Sequence, residues 1–428
     1  MIRTYKYRLY PTNAQEKALD FLLWQGRLLY NAALEQRITT YRKTGERVTY
    51  YQQWAYFRDR RRASPDTLGQ LNATSVQQVL RRLDKAFRAF FRRLKAGEKP
   101  GFPRFKGPNR FNSLEYRYGD GCKLRFDDRN RALLYVQNVG TVKVKYHRPL
   151  PDEAVIKHVI LKRRNSKWYV CLMLGLPKVA ARVHSGPAVG IDVGLHHLLA
   201  LSDGTTIENP RWLRSSLAKL RVAQRRMARR KKGGNRWRKA AAQVARLHER
   251  IANRRRDFWH KLTRQLVQTY GLIALEDLTL KFMTANHHLA LSAHDAGLAE
   301  FQQLLAYKAE NAGTQVVTVN PAYTSQVCSA CGAIVEKDLS VRVHHCSACG
   351  LTLDRDVNAA CNILYLAVEP ARTGPPEQNV AVCGVRALGS SPIQWGESSR
   401  PAASWETGTP SPFGESHPEV RVAGFATL

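Results

Sequence analysis

The 428-residue chain carries 68 Lys+Arg against 34 Asp+Glu, a formal charge of +34, and 44% of its residues are hydrophobic. That hydrophobic share supports packed cores and excludes a wholly disordered chain, and the length points to two or three domains. A self-repelling surface of this size calls for a polyanion, nucleic acid before an anionic membrane, and no apolar run approaches the roughly 18 residues that span a bilayer.

The N-terminal "MIRTYKYRLYP" lacks the apolar core of a secretory signal. A cytoplasmic chain with reduced thiols is therefore expected. Cysteine usage agrees: Cys328, Cys331, Cys346 and Cys349 cluster, while Cys122, Cys171, Cys361 and Cys383 are scattered. A disulfide framework would spread them through a short secreted chain.

"RTYKYRLYPT" alternates, with Tyr5, Tyr7 and Leu9 on one side, and reads as a strand stopped by Pro11. Thr12 to Gln15 then fits a capping box before a helix carrying Leu19, Leu22, Leu23 and Leu29. A second helix is expected from another box, Ser75 to Gln78. Its stripe runs Val76, Val79, Leu80, Leu83, Phe87, Phe90 and Leu94, and Gly97 and Pro100 end it. The loop 99–112 mixes Lys/Arg with Phe between prolines and glycines. "LLYVQNV", "TVKVKYH", "VIKHVILKRR" and "KWYVCLMLGL" then alternate with period two, predicting a small antiparallel sheet or barrel over roughly 112–178.

"PAVGIDVGLHHLLALSDGTTI" (187–207) reads as a buried hairpin holding one acid, Asp192, which needs a partner because an unpaired buried charge is expensive. From Arg211 to Arg264 the chain is basic, with Glu249 and Asp257 as its acids. The two glycines in "RRKKGGNRWRK" divide it into two long helices. Val244, Ile251 and Phe258 mark the apolar stripe of the second, and the charge density favours phosphate contact. "GLIALEDL" (271–278) is another buried strand ending in an acid, Glu276. A helix over about 295–311 and a third apolar strand, "TQVVTVN", follow.

Cys328-x-x-Cys331, fourteen residues and Cys346-x-x-Cys349 make a tetrahedral zinc pattern, with Gly332 and Gly350 supplying the turn after each pair. Four sulfurs leave no open position, so this Zn²⁺ is expected to be structural. It can fold a ribbon too short for a core; zinc-finger peptides gain roughly 10–16 kcal/mol from such binding. His344 and His345 are expected to face solvent or nucleic acid instead.

Three acids stand at the edges of buried elements: Asp192, Glu276, and one of Asp354 and Asp356. Two Mg²⁺ ions need carboxylates from separate elements, because one strand or helix cannot surround them, and such a pair serves phosphodiester hydrolysis. Asp354 precedes a helical run and suits the N-cap. Asp356 lies in the first turn with its side chain free, and is the expected ligand. Ala359 and Ala360 should let that helix lie close against a sheet.

Taken together, "GIDVGLHHLLALSDG", "IALEDL", the two cysteine knuckles, "DRDVNAACN", "YKYRLYPTNAQEKAL" and "GFPRFK" resemble the transposon-encoded TnpB proteins, relatives of type V CRISPR effector nucleases. The likeness covers about 1–368. It implies an α+β multidomain chain with an RNase H-like (RuvC) nuclease domain at 185–325 and 351–369 and a zinc-ribbon insertion at 326–350. It also implies an oligonucleotide-binding β-barrel at 1–11 and 98–184, interrupted by a helical recognition domain at 12–97. Residues 370–428, rich in proline, glycine and serine, are expected to be a disordered tail. The resemblance further implies a catalytic triad of Asp192, Glu276 and Asp356, a non-coding guide RNA from the transposon end, double-stranded DNA as target, and a nucleoid-associated prokaryotic setting. A transposase catalysing strand transfer, or a nuclease-inactive guided binder, are the competing functions.

Overall fold

The computed structural model describes residues 2–368 apart from 109, 178–182, 279 and 339. The expected tail at 370–428 lies outside the described residues.

Strand β1 (Ile2–Tyr10) turns Tyr5, Tyr7 and Leu9 inward, as its alternation predicts. It is the central strand of a seven-stranded antiparallel sheet. The others are β2 (Ser113–Arg117), β3 (Cys122–Phe126), β4 (Ala132–Val136), β5 (Gly140–Lys145), β6 (Val155–Arg164) and β7 (Lys167–Gly175), in the order β2-β6-β7-β1-β5-β4-β3. The expected barrel thus takes the form of a ladder whose edges, β2 and β3, are joined by the tight turn 118–121. There the Asp120 N–H donates to the Arg117 carbonyl at 3.2 Å.

Helix α1 (Asn13–Thr44) starts at the predicted box, with the Gln15 N–H donating to Thr12 Oγ1 and the Thr12 N–H to Gln15 Oε1. Helix α2 (Tyr50–Ala63) begins at a second box, Thr49 with Gln52. Its apolar pattern does not announce it, because only Gln53 and Phe57 are buried. Helix α3 (Ala73–Lys95) starts three residues before the expected box. Asn72 caps it by accepting the Thr74 N–H at 2.8 Å, and Ser75 Oγ instead donates to the Glu115 carbonyl. Val76, Val79, Leu80 and Leu83 are buried, and the stripe fades until Leu94 is exposed. One apolar cluster runs through these helices and the sheet.

A second, five-stranded sheet comprises β8 (Ala188–Asp192), β9 (His197–Leu201), β10 (Thr206–Glu208), β11 (Leu272–Glu276) and β12 (Gln315–Val319). Its order is β10-β9-β8-β11-β12; the hairpin strands are antiparallel, and β8, β11 and β12 run parallel. Between β10 and β11 lie α4 (Leu217–Ala228) and α5 (Asn235–Thr269), so only the second of the two expected long helices is long. Between β11 and β12 lie α6 (Leu280–Ala285), α7 (His287–Ala296) and α8 (Leu298–Ala312). Gly297, at φ +68°, splits the single helix expected over 295–311.

Side chains on a strand alternate between faces. Val189, Ile191, Ile273 and Leu275 accordingly join the cluster with α5 and α8, where Trp259 packs on Phe301 with ring centroids 4.7 Å apart. Gly190, Asp192, Ala274 and Glu276 fall on the opposite face. That face is covered by α9 (Arg355–Val368), and Ala274, Val319 and Ile363 form a small core there. A Cβ at Gly190 would sit 2.0 Å from the Ala360 carbonyl oxygen, so the helix rests almost on the strand's backbone. Between β12 and α9 a two-stranded ribbon, β13 (Val343–His345) with β14 (Thr352–Asp354), pairs Val343 with Asp354.

Candidate active site and zinc ribbon

Parallel register sets the first two acids side by side. Ile191 pairs with Leu275, so Asp192 and Glu276 are the next residues of neighbouring strands and leave the sheet at the same end. Helix α9 brings the third. Asp354 is its N-cap, its Oδ1 accepting the N–H groups of Asp356 at 2.8 Å and Val357 at 3.2 Å, which leaves the Asp356 carboxylate uncommitted to the cap. The cap expected at Asp354 is thus the one observed.

Electrostatics tie the three together. Burial pushes the Asp192 carboxyl up to about 8, and the charges of Glu276 and Asp356 push it the same way. Burial also raises Glu276, against a lowering hydrogen bond from Thr324 Oγ1 to Glu276 Oε1 at 2.5 Å. Asp356 has the Arg342 guanidinium 3.9 Å from its Oδ1. Among the described residues, two sets of potential ligand atoms lie within 4.8 Å of one another: the four cysteines, and His196, His197 and Asp356. The three carboxylates as a set are more open than either. An all-oxygen, mutually repelling donor set fits a hard divalent cation such as Mg²⁺. Asp295, another buried acid, is fully engaged elsewhere: its two oxygens accept the Leu213 and Arg214 N–H groups at 2.7 and 3.1 Å.

Cys328 and Cys349 place their sulfurs 3.6 Å apart, as do Cys331 and Cys346. A Zn–S bond of about 2.3 Å implies tetrahedral S–S edges of about 3.8 Å, so the four thiols fit that ion. Gly332 and Gly350 take φ of +76° and +75°, the left-handed turn each knuckle needs. One expectation is corrected. His344 is fully buried beside Lys337 rather than facing outward, because β13 turns it toward the ribbon's interior, whereas His345 is exposed.

The ribbon is bolted to α9 by residues that reading the sequence did not single out. Arg355 Nη1 donates to the Asp338 carbonyl at 2.6 Å. Asn358 exchanges hydrogen bonds with the Val327 carbonyl and the Ser329 N–H. Asn362 Nδ2 donates to the carbonyls of Thr324 and Val327 at 2.8 and 2.7 Å. The signal was present, since residues 355, 358 and 362 form one helical row.

The basic hairpin keeps its charge on the surface. Arg225, Arg226, Arg229 and Arg230 line one groove with Val222, whereas Glu249 turns inward to accept from Asn165 Nδ2 at 2.9 Å.

Comparison with known proteins places this architecture. Residues 171–287 match a family model described as a probable transposase of the OrfB IS605 type. Residues 299–363 match a Cas12f1-like TNB domain. Residues 1–46 match a model described as a helix-turn-helix domain, although here they form a strand and one uninterrupted helix. A "Putative RNA-guided DNA endonuclease" of Streptomyces pristinaespiralis is 34% identical over 87% of this chain and 91% of its own length. The similarly named InsQ of Escherichia coli is 31% identical over 85% and 92%. In fold, the chain resembles Cas12f1 solved with sgRNA and target DNA, with a TM-score of 0.57 at 16% identity, covering 85% of this chain and 98% of that one. The acids at one sheet end, the four-cysteine ribbon and full-length relatives above 30% identity lead to one assignment: the chain belongs to the TnpB family.

Proposed function

We propose that this RNA-guided DNA endonuclease cuts phosphodiester bonds at Asp192, Glu276 and Asp356, held on an RNase H-like (RuvC) domain built on the five-stranded sheet. The observation that carries this reading is the parallel register that brings Asp192 and Glu276 out at one sheet end, with Asp356 near enough for its charge to add to the rise of the Asp192 carboxyl. A pair of Mg²⁺ ions bound there would supply activation of water and stabilisation of the leaving oxygen. The chain's own part is to fix the donors. β8 and β11 hold two carboxylates in register, α9 presents the third, and Thr324 orients Glu276. The four cysteines would hold a structural Zn²⁺ that fixes the chain just before Asp356.

The guide in this reading is a non-coding RNA from the transposon end, and the target is double-stranded DNA. The seven-stranded sheet with α1–α3 and the basic α4–α5 hairpin would grip the heteroduplex backbone by shape and charge, leaving sequence to base pairing. No helix among the described residues is long and apolar enough to cross a membrane. The DNA target in this reading sets the chain to work at the nucleoid.

The test is cleavage of matched DNA by protein carrying its copurified RNA, wild type beside Asp192→Ala. Loss of cutting with RNA retained is expected, and an Asp192→Ala protein that cuts normally overturns the triad. The description of the matching family model as a transposase favours one rival, strand transfer. Incubation with pre-cut transposon ends would reveal it as joined products.

A further inference from the structure

The tight β8–β9 connection, which follows Asp192, leads into two adjacent histidines. His196 lies in the loop and His197 opens β9, with their rings in an edge-on contact at 4.5 Å. A ring nitrogen of each and a carboxylate oxygen of Asp356 fall within 4.8 Å of one another. That set is tighter than the three carboxylates, and its chemistry differs, because imidazole favours first-row transition ions over Mg²⁺. A carboxylate from outside the set stands beside one of its histidines. Glu208, the cross-strand partner of His197, brings Oε1 to 3.0 Å from His197 Nδ1, a buried ring nitrogen with no hydrogen bond of its own. Arg342, the guanidinium near Asp356, is half exposed and has room to swing aside.

We propose that His196, His197 and Asp356 form a site for a divalent transition-metal ion such as Ni²⁺, distinct from the cysteine site and overlapping the carboxylate centre at Asp356. An ion held there draws Asp356 toward the hairpin and away from Asp192 and Glu276, and so inhibits cleavage. That consequence rests on the reading of Asp356 as a catalytic ligand; the binding itself does not.

The experiment is calorimetric titration of NiCl₂ into the full chain, free of RNA and of any polyhistidine tag, with zinc already on the cysteines. One Ni²⁺ per chain is expected beyond the zinc. Binding should weaken roughly tenfold or more in His197→Gln and in His196→Asn; the latter changes an exposed loop residue that the fold does not need. Absence of the extra ion in wild type, or undiminished binding in both variants, overturns the site. Asp192→Ala should still take up Ni²⁺, so cleavage by that variant bears on the triad alone and leaves the nickel result standing.

Discussion

Thr324 Oγ1 donates to Glu276 Oε1 at 2.5 Å, while Asn362 of α9 donates to the carbonyl of the same threonine at 2.8 Å. One residue at the root of the ribbon thus links two of the three elements that carry acids.

Thr324→Val should remove the bond that holds Glu276 down, so its carboxyl rises further. The acid limb of the cleavage pH profile should then move to higher pH and the rate at neutral pH fall by about tenfold, with guide RNA still bound. Thr324→Ser should restore the profile. A wild-type profile in the valine variant would show that the bond does not tune the site.

The sign of the Asp192 shift predicts how stability depends on pH. Its folded carboxyl titrates near 8, above the ordinary 3.8, so the folded state holds the proton that the unfolded chain releases. Stability from this group is full below pH 4 and is lost as pH rises toward 8. Asp192→Asn should therefore raise the melting temperature of metal-free protein at pH 8, by about 2–4 °C for each kcal/mol gained, and barely alter it at pH 4. Added Mg²⁺ should stabilise wild type at pH 8 more than the variant. Scanning calorimetry at the two pH values checks both.

Gly190→Ala puts a methyl group 2.0 Å from the Ala360 carbonyl, a backbone atom that cannot turn away. Helix α9 must lift, taking Asp356 with it. Cleavage should fall by a hundredfold or more, about 3 kcal/mol of transition-state stabilisation, while zinc content stays at one per chain. Kinetics together with metal analysis would show both.

Cys346→Ser with Cys349→Ser should hurt cleavage more than RNA binding, because the ribbon is hydrogen-bonded to α9 and shares no strand pairing with the seven-stranded sheet. Asn358→Leu makes the complementary test. It leaves the thiols intact but strands the Ser329 N–H and leaves the Val327 carbonyl to Asn362 alone, costing about 1–3 kcal/mol and slowing cleavage with zinc retained. Normal cutting by the double cysteine variant would remove the proposed link between ribbon and catalysis.

The parts legible in the sequence are those where periodicity or ligand spacing speaks alone. They include the inward row of β1, the apolar strands ending in Asp192 and Glu276, the cysteine knuckles, and the choice of Asp354 as cap. The misreadings share a cause: a local pattern with a tertiary competitor. Ser75 and Gln78 mimic a capping box, yet Asn72 caps α3 because Asp120 and Gln137 hold its amide at 3.0 Å each. Helix α2 escaped notice because its stability comes from two inward residues and a box, with no continuous stripe. His344 looked like a surface residue because nothing local announces the buried pocket beside Lys337. Thr324 gains meaning only when residues far apart in the chain meet.

Asp356 comes after almost everything else described, beyond the ribbon and on the last helix. A growing polypeptide can therefore fold its seven-stranded sheet and display its arginines well before it owns a complete set of scissors. Under the proposed triad a nascent chain lacking α9 could not nick the chromosome, so the order of residues alone would withhold cutting until that helix emerges.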